Sequence, residues 1–440
     1  MVQLGLPSLA LLVVANMIGA GVYTSSGFAL GSLGTREAVL IAWLLAAIIA
    51  CMGAVCYGGL VKQIAQSGGE AFFLTRFVHP FAGFLAGWIS LTAGFSGAIA
   101  YSAITFESYL PKSAVLAQLP EGTSALAIVL FFGGLHYWGL SVGTRFQNGL
   151  VLLKLVLLLF FIGFGTWWLL GGTAAESLAM GQSNESVLDS EQASVPWNAW
   201  ATSVMWISLS YAGYNAAIYV AGAAQAGGTV ARSMLLATVG VTGIYLALNG
   251  VVLYSVPAEQ LVNQQDVFKI SAAALSGSWL ERAVTGVILL SLATSVSAML
   301  QIGPHVYSQM AKEGLLPKWL SWEEAGVPRR ALLLQIVLAA GLAWLVNLQR
   351  LLDYLTFLLL ISSAVTVGCL LLPSLRGKPG NRPVPLWPVL PAVFVLASFA
   401  IAGLSFHYRW STDPWGFVFA CTVLPLGMVM YPYLSRSSGE

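Results

Sequence analysis

Charge is what this chain has least of: 8% of its 440 residues are Asp, Glu, Lys or Arg, against 58% hydrophobic, and its mean hydropathy is +0.82. So little charge cannot cover a soluble globule of this size, and uncharged runs of about 20 residues match the hydrocarbon thickness of a bilayer. A net charge of +2 gives no basic surface for a nucleic acid, which is not expected as a partner. Cysteine is scarce as well. Cys51, Cys56, Cys369 and Cys421 fall in or near apolar runs without ligand spacing, which argues against a metal site and a disulfide framework. No metal or cofactor is expected, and with no cysteine in an outer loop, neither is an obligatory disulfide-linked heavy chain. The first apolar run also lacks a basic n-region and a small-residue cleavage site, so it reads as a retained helix.

What is present is a series of twelve apolar runs, near residues 4–30, 38–61, 80–110, 123–140, 148–171, 197–222, 233–256, 279–310, 331–347, 351–373, 386–406 and 415–434. They predict an all-α polytopic membrane protein with twelve transmembrane helices. Basic residues favour alternate loops. Lys62, Arg76, Arg145, Arg232, Lys312, Lys318, Arg329, Arg330, Arg376, Lys378, Arg382 and Arg436 share one side, whereas the other holds Arg36, Lys112, Lys269, Arg282, Arg350 and Arg409. The positive-inside rule makes the first side cytoplasmic, with both termini there and the acidic segment Glu176 to Glu191 outside. A plasma membrane, such as a bacterial inner membrane, is the expected location. The segment from Ser67 to Arg76, with its glycine pair and aromatics, suits either a short interfacial helix or a turn and an anchor.

Two of these runs are interrupted at matching places. The first carries Asn16-Met17-Ile18-Gly19-Ala20-Gly21 and the sixth Ser208-Leu209-Ser210-Tyr211-Ala212-Gly213-Tyr214-Asn215. Unpaired backbone is tolerated in a bilayer only where protein or a water-filled cavity satisfies it, so paired breaks five runs apart point to one site built from two halves. Amide groups freed at Gly19-Ala20-Gly21 would attract a carboxylate, and carbonyls freed near Leu209, Ser210 and Ala212 would accept from an ammonium group. One pair of breaks can thus hold a zwitterion. No Asp or Glu lies mid-run, since Glu107 and Asp353 sit toward the outer ends of the third and tenth runs, where an interfacial or capping role is expected. A cationic side chain would want a buried carboxylate, so the substrate is expected to be a neutral amino acid.

Lys154 is the one charged residue well inside a run, at an insertion cost of about 2.5–3.5 kcal/mol. On position alone two readings stand. Its ammonium can replace a metal cation among carbonyls of the first run and hydroxyls of the eighth, from Ser291, Thr294 and Ser295, and can carry a proton through the cycle. Alternatively it snorkels, being about 9 Å from the cytoplasmic start of its run.

The run Asn16-Met17-Ile18-Gly19-Ala20-Gly21-Val22-Tyr23 resembles the first-helix signature G-[SA]-G-[IV]-[FY] of the amino acid-polyamine-organocation (APC) superfamily. Ser210 to Ala223 is similar to that family's sixth helix, Gly303 to Pro317 to its span 8 exit motif, and Ser67 to Leu74 to the segment after span 2. The best match is to the branch of L-type amino acid transporters and their bacterial relatives. This resemblance implies the leucine-transporter fold with a five-plus-five inverted repeat: residues 1–171 and 197–373 as the repeats with broken helices 1 and 6, an outer loop at 172–196, and two last helices in 374–440. It implies that Ala20 and Gly21 meet the substrate carboxylate, that Ile18, Leu209, Ser210 and Ala212 meet its amine, and that Asn215 lies near the pocket. It also matches Lys154 to a lysine that stands where sodium-coupled relatives bind an ion.

The match has departures. Leu209 replaces an aromatic gate, Ala20 lacks a hydroxyl some relatives carry, and Gly222 to Gly228 lacks the glycine-glutamate pair common after span 6. His305 replaces an arginine of the exit motif. An enzyme is the remote alternative: Gly94-Phe95-Ser96-Gly97 resembles the G-x-S-G nucleophile motif of rhomboid intramembrane proteases, with His136 or His305 as conceivable bases. A small-residue helix contact explains the same four residues. The expected function is sodium-independent transport of neutral L-amino acids by alternating access, as an exchanger or coupled to protons, with an amino-acid-binding membrane sensor as the alternative.

Overall fold

The computed structural model describes residues 4–64, 69–111, 118–139, 144–171, 195–323, 326–375 and 382–436. Lys112, Arg376, Lys378, nearly all of the loop at 172–196, and Ser67 and Gly68 lie outside the described residues. The chain runs through α1 (Leu6–Met17), α2 (Ala20–Leu33), α3 (Arg36–Gln63), α4 (Gly69–Phe77), α5 (Pro80–Ile89), α6 (Ala98–Tyr109), α7 (Thr123–Tyr137) and α8 (Thr144–Leu170). It continues through α9 (Trp197–Tyr211), α10 (Gly227–Tyr254), α11 (Val267–Lys312), α12 (Arg329–Leu345), α13 (Leu348–Gly368), α14 (Val389–Thr412) and α15 (Trp415–Arg436). Helix is what these residues must form: in hydrocarbon each backbone group has to be satisfied within its own segment.

Among the described residues eight helical stretches are long and apolar enough to cross a membrane, and α1 with α2 makes a ninth, bent by 46° at the break between them. The protein is therefore an all-α, multi-pass membrane protein. Helices α7, α9 and α12, at 15, 15 and 17 residues, fall where three further spans are expected but are shorter than the rest. α5 and α6 join through a π-helical stretch, Ser90–Gly97, into one span from Pro80 to Tyr109. In α11, Ser276 and Gly277 leave helical geometry, Gly277 at φ +69°, so Val267–Leu275 is a separate segment and the span starts after Gly277.

Burial sorts the spans by depth. Two thirds of α13 is buried against 22% of α8, and Leu152, Val156, Leu159 and Phe160 of α8 are exposed. α13 is thus central and α8 peripheral, its apolar side facing lipid at no hydrophobic cost. At the centre α3 lies along α10, α2 along α9, and α1 along both α10 and the stretch that follows α9. This arrangement brings the two interrupted helices side by side.

The segment after α3 forms a helix, α4, whose Glu70 and Phe73 are buried. Glu107 takes the expected capping role, accepting from the amides of Gly122 at 3.0 Å and Ala125 at 3.1 Å at the start of α7. Asp353 does not sit at the interface. It is fully buried, paired with Arg409 of α14 at 2.9 Å, and accepts from the indole N–H of Trp206 at 2.6 Å. Arg409 lies in the last turn of α14 and Trp206 on α9, so a carboxylate that looks terminal in sequence is enclosed by two neighbouring helices.

Candidate functional site

The first break is local in origin. α1 ends at Met17, Ile18 takes φ −78° and ψ 87°, Gly19 is extended, and α2 starts at Ala20 without a side-chain cap. Amides of its first turn are therefore free of side-chain acceptors, with the positive end of the helix dipole behind them. In the second break α9 stops at Tyr211 and the chain continues as a 3₁₀ helix over Ala212–Ala223, with Val220 outside helical geometry. The kink at Val220 divides this stretch, and a change from α to 3₁₀ geometry within a membrane segment marks a hinge-like place.

The breaks touch through two glycines. A Cβ on Gly21 would lie 2.8 Å from Ser210 Oγ and 2.9 Å from its backbone N, and a Cβ on Gly213 would lie 2.5–2.6 Å from the backbone of Asn16 and Met17. Each half lends a glycine to the backbone of the other. A third residue ties them together: the hydroxyl of Tyr245, on α10, lies 2.6 Å from Met17 O and 3.0 Å from Ser210 O and donates its single proton between them. At one end of the pair Leu4 and Ala224 also bridge, with Gln225 N–H donating to Leu4 O at 3.3 Å.

Lys154 reaches this assembly from α8. It is buried, and its ammonium donates to the carbonyl of Ile18, the residue freed at the first break. Around it lies a cavity of about 10 Å³, roughly the room of one water, lined in part by Leu157, Ser291 and Thr294. Ser291 instead accepts from Tyr23 at 3.4 Å and Thr294 donates to carbonyls of its own helix, while Ser295 is not among the lining residues.

The remaining residues of the expected site fall into three groups. Ala20 and Gly21 are buried at the start of α2, next to Ser210, whose buried hydroxyl has no hydrogen-bond partner among the described residues. Leu209 O accepts the Ala212 N–H and Ser210 O accepts from Tyr245, so these carbonyls are engaged. Asn215 points elsewhere, donating to Glu70 Oε1 at 3.4 Å. Tyr245 and Glu70 were not singled out by sequence reasoning, because nothing local distinguishes them from packed aromatic or interfacial residues.

A wider cavity of about 360 Å³ opens between α3, α10 and α14, lined by residues such as Ile48, Met52, Val239 and Leu390. Thr242 is its polar residue and donates to Thr238 O at 2.8 Å. It offers nothing to a zwitterion. Of the protease reading, His136 shares a hydrogen bond with Ser297 at 3.0 Å, and a Cβ on Gly97 would lie 2.2 Å from Leu355. Gly94-Phe95-Ser96-Gly97 is thus a close helix contact.

The structure thus sets two interrupted, glycine-packed helices side by side, with a buried lysine on the carbonyl freed at the first break. The amino acid permease family model matches residues 4–427, so the chain belongs to that family, within the APC superfamily. It is 24% identical to the serine/threonine exchanger SteT of Bacillus subtilis (strain 168) over 409 residues, covering 91% of this chain and 90% of that protein. The Asc-type amino acid transporter 1 of Homo sapiens is 23% identical over 412 residues, 90% of this chain and 75% of that one. The large neutral amino acids transporter small subunit 2 of Mus musculus matches over a shorter stretch, 33% identical over 108 residues, 24% of this chain and 20% of that one. The protein is a membrane transporter of amino acids and not an enzyme.

Proposed function

We propose that the chain carries neutral L-amino acids across the membrane without sodium, by alternating access around the paired breaks, as an exchanger or with proton coupling. The observation that carries this reading is the Lys154 ammonium on the Ile18 carbonyl: a fixed positive charge occupies the freed carbonyl that a metal cation would otherwise neutralise. The neutral substrate class follows from charge. Asp353 is already paired with Arg409 and the Glu70 carboxylate is filled by the hydroxyls of Tyr57 and Ser362, so neither is open to a cationic side chain. The names of the serine/threonine exchanger and the large neutral amino acids transporter point the same way.

The twelve-span leucine-transporter fold belongs to the same proposal. α9, at about 22 Å, is continued across the bilayer by the 3₁₀ stretch, and α7 and α12, at about 22 and 26 Å, span the ~30 Å core with local thinning. Residues 1–171 and 197–373 are then the inverted repeats, each opening on its broken helix, with 172–196 between them and 374–440 after them. Both termini are cytoplasmic on the charge rule, in a plasma membrane. Cys51, Cys56 and Cys421 lie within membrane helices and Cys369 is buried just past the end of α13, which supports a transporter that works without a disulfide-linked partner.

The test is uptake of labelled L-serine, L-alanine and L-leucine by proteoliposomes, with and without unlabelled amino acid inside, in sodium and in choline buffers. Uptake is expected to be equal in the two buffers. Strict dependence on sodium would overturn the reading, and specific binding with no flux under any gradient would make the protein a sensor.

A further inference from the structure

Glu70 is the buried acid that the zwitterion site does not use. It sits in the first turn of α4, 7% exposed, and its carboxylate is held from three other segments. Tyr57 of α3 donates to Oε1 and Ser362 of α13 to Oε2, both at short range. Ser363 of α13 donates to Oε1 at 3.3 Å, and Asn215, from the 3₁₀ half of the second break, donates to Oε1 at 3.4 Å. Among the described residues no Lys, Arg or His pairs with it. This is unlike Asp353, whose charge Arg409 cancels.

Among the described residues the ionisable groups that interact with Glu70 are Tyr57 of α3 and Tyr214 and Tyr219 of the 3₁₀ stretch, α13 contributes its two serines, and α4 itself carries Arg76 in its last turn. α5, which packs along α4, has no ionisable side chain. A buried carboxylate without a counter-ion is costly as an anion, and here burial raises its pKa while the hydroxyl donors pull the other way. The two states differ in what they hold. The anion is an acceptor at both oxygens and makes charge-assisted bonds about twice as strong as neutral ones, whereas the protonated acid must itself donate at one oxygen.

We propose that Glu70 is a proton-binding site of the transport cycle: ionised, it latches the 3₁₀ half of the second break to α3, α4 and α13, and proton binding releases that latch. The step is a bare association. A proton from hydronium joins one carboxylate oxygen and no covalent bond of the protein is broken; the donors on that oxygen are displaced by the new O–H, and those on the other keep only a weaker, neutral acceptor. Release matters because the 3₁₀ half must move against α13 if access is to alternate. The proposal deepens the proton-coupled form of the function above and rests on it for its consequence in transport, but not for proton binding itself.

Two measurements test the proposal separately. Infrared difference spectra of the purified full-length protein between acidic and neutral pH are expected to show a protonated carboxyl band that Glu70→Gln removes and Glu70→Asp shifts. In proteoliposomes an inward gradient of one pH unit is expected to raise accumulation of labelled L-serine, L-alanine and L-leucine up to about tenfold, the equivalent of about 1.4 kcal/mol for one proton. In Glu70→Gln the ratio of uptake with and without the gradient falls to about one, while Glu70→Asp retains a response. A carboxyl band that persists in Glu70→Gln overturns proton binding at this residue, whatever the transport result. An unchanged gradient ratio in the variant, a wild type indifferent to the gradient, or a sodium gradient that replaces the proton gradient through Glu70 overturns its role as the latch. Loss of all transport in the wild type, with the band still assigned to Glu70, counts against the transport reading alone.

Discussion

At Gly213 the absence of a side chain is what lets two membrane segments meet backbone to backbone. A methyl group there would be driven into the carbonyl carbon of Asn16 at 2.5 Å and the amide of Met17 at 2.6 Å, and backbone cannot rotate away as a flexible side chain can. Gly213→Ala is therefore expected to destabilise the protein by about 1–3 kcal/mol, the range for overpacking. Gly243→Ala on α10, where a methyl meets nothing within 4 Å, is the control and should be neutral or gain up to about 1 kcal/mol of helix propensity. Thermal unfolding in detergent reads both; equal melting of the two variants would mean that the breaks are not in contact. Gly21→Leu should in addition abolish amino-acid binding, since the larger side chain lands on Ser210 and the start of α2. Both glycines are legible in sequence because they interrupt apolar runs. Glu70 is not, because its partners Asn215, Ser362 and Ser363 lie 145, 292 and 293 residues away and only the fold assembles them.

Among the elements, α9 is held through its last two turns. Trp206 is enclosed by Asp353 of α13 and Arg409 of α14, whose guanidinium lies 5.7 Å from the indole centroid. One turn further on, Ser210 is fastened to α1 by the Tyr245 hydroxyl and to α2 by contact with Gly21. A half-helix so anchored can hinge only where its backbone changes type, at the start of the 3₁₀ stretch. Removing one member of the Asp353–Arg409 pair leaves a buried charge uncompensated, which costs about 3–5 kcal/mol, more than the pair itself contributes. Arg409→Met should accordingly melt well below the wild type, and the double variant Asp353→Leu, Arg409→Met should recover most of the loss. A double variant as unstable as the single would show that the pair stabilises through its geometry and not through charge balance. The sequence places α9 and its break but gives no sign of the pair, because Asp353 and Arg409 stand at the outer ends of separate apolar runs, where charges are ordinary.

For the molecule as a whole, the apolar runs locate the eight membrane-length helices among the described residues, since hydrocarbon thickness leaves little freedom in length; the bend, the 3₁₀ stretch and the packing between halves come from contacts that run length does not encode. Lys154 joins the two kinds of information. It stands out in sequence as a charge in an apolar run, and the fold delivers it to Ile18 O, 136 residues away. Its stability balance is close to even. Lys154→Ala removes a charge that costs about 2.5–3.5 kcal/mol to insert and leaves a buried carbonyl unpaired at about 1–3 kcal/mol. The variant should therefore melt near the wild type. Transport should not survive so well, because a charge-assisted bond of about 1.5–3 kcal/mol that holds the break in one state and yields in another is lost, which corresponds to roughly 10- to 100-fold in rate. Uptake and melting measured on the same preparation separate the alternatives: wild-type uptake would leave the bond of Lys154 to Ile18 without a part in the cycle, a collapse in melting would make it structural, and a slow but well-folded variant would place its charge in the cycle.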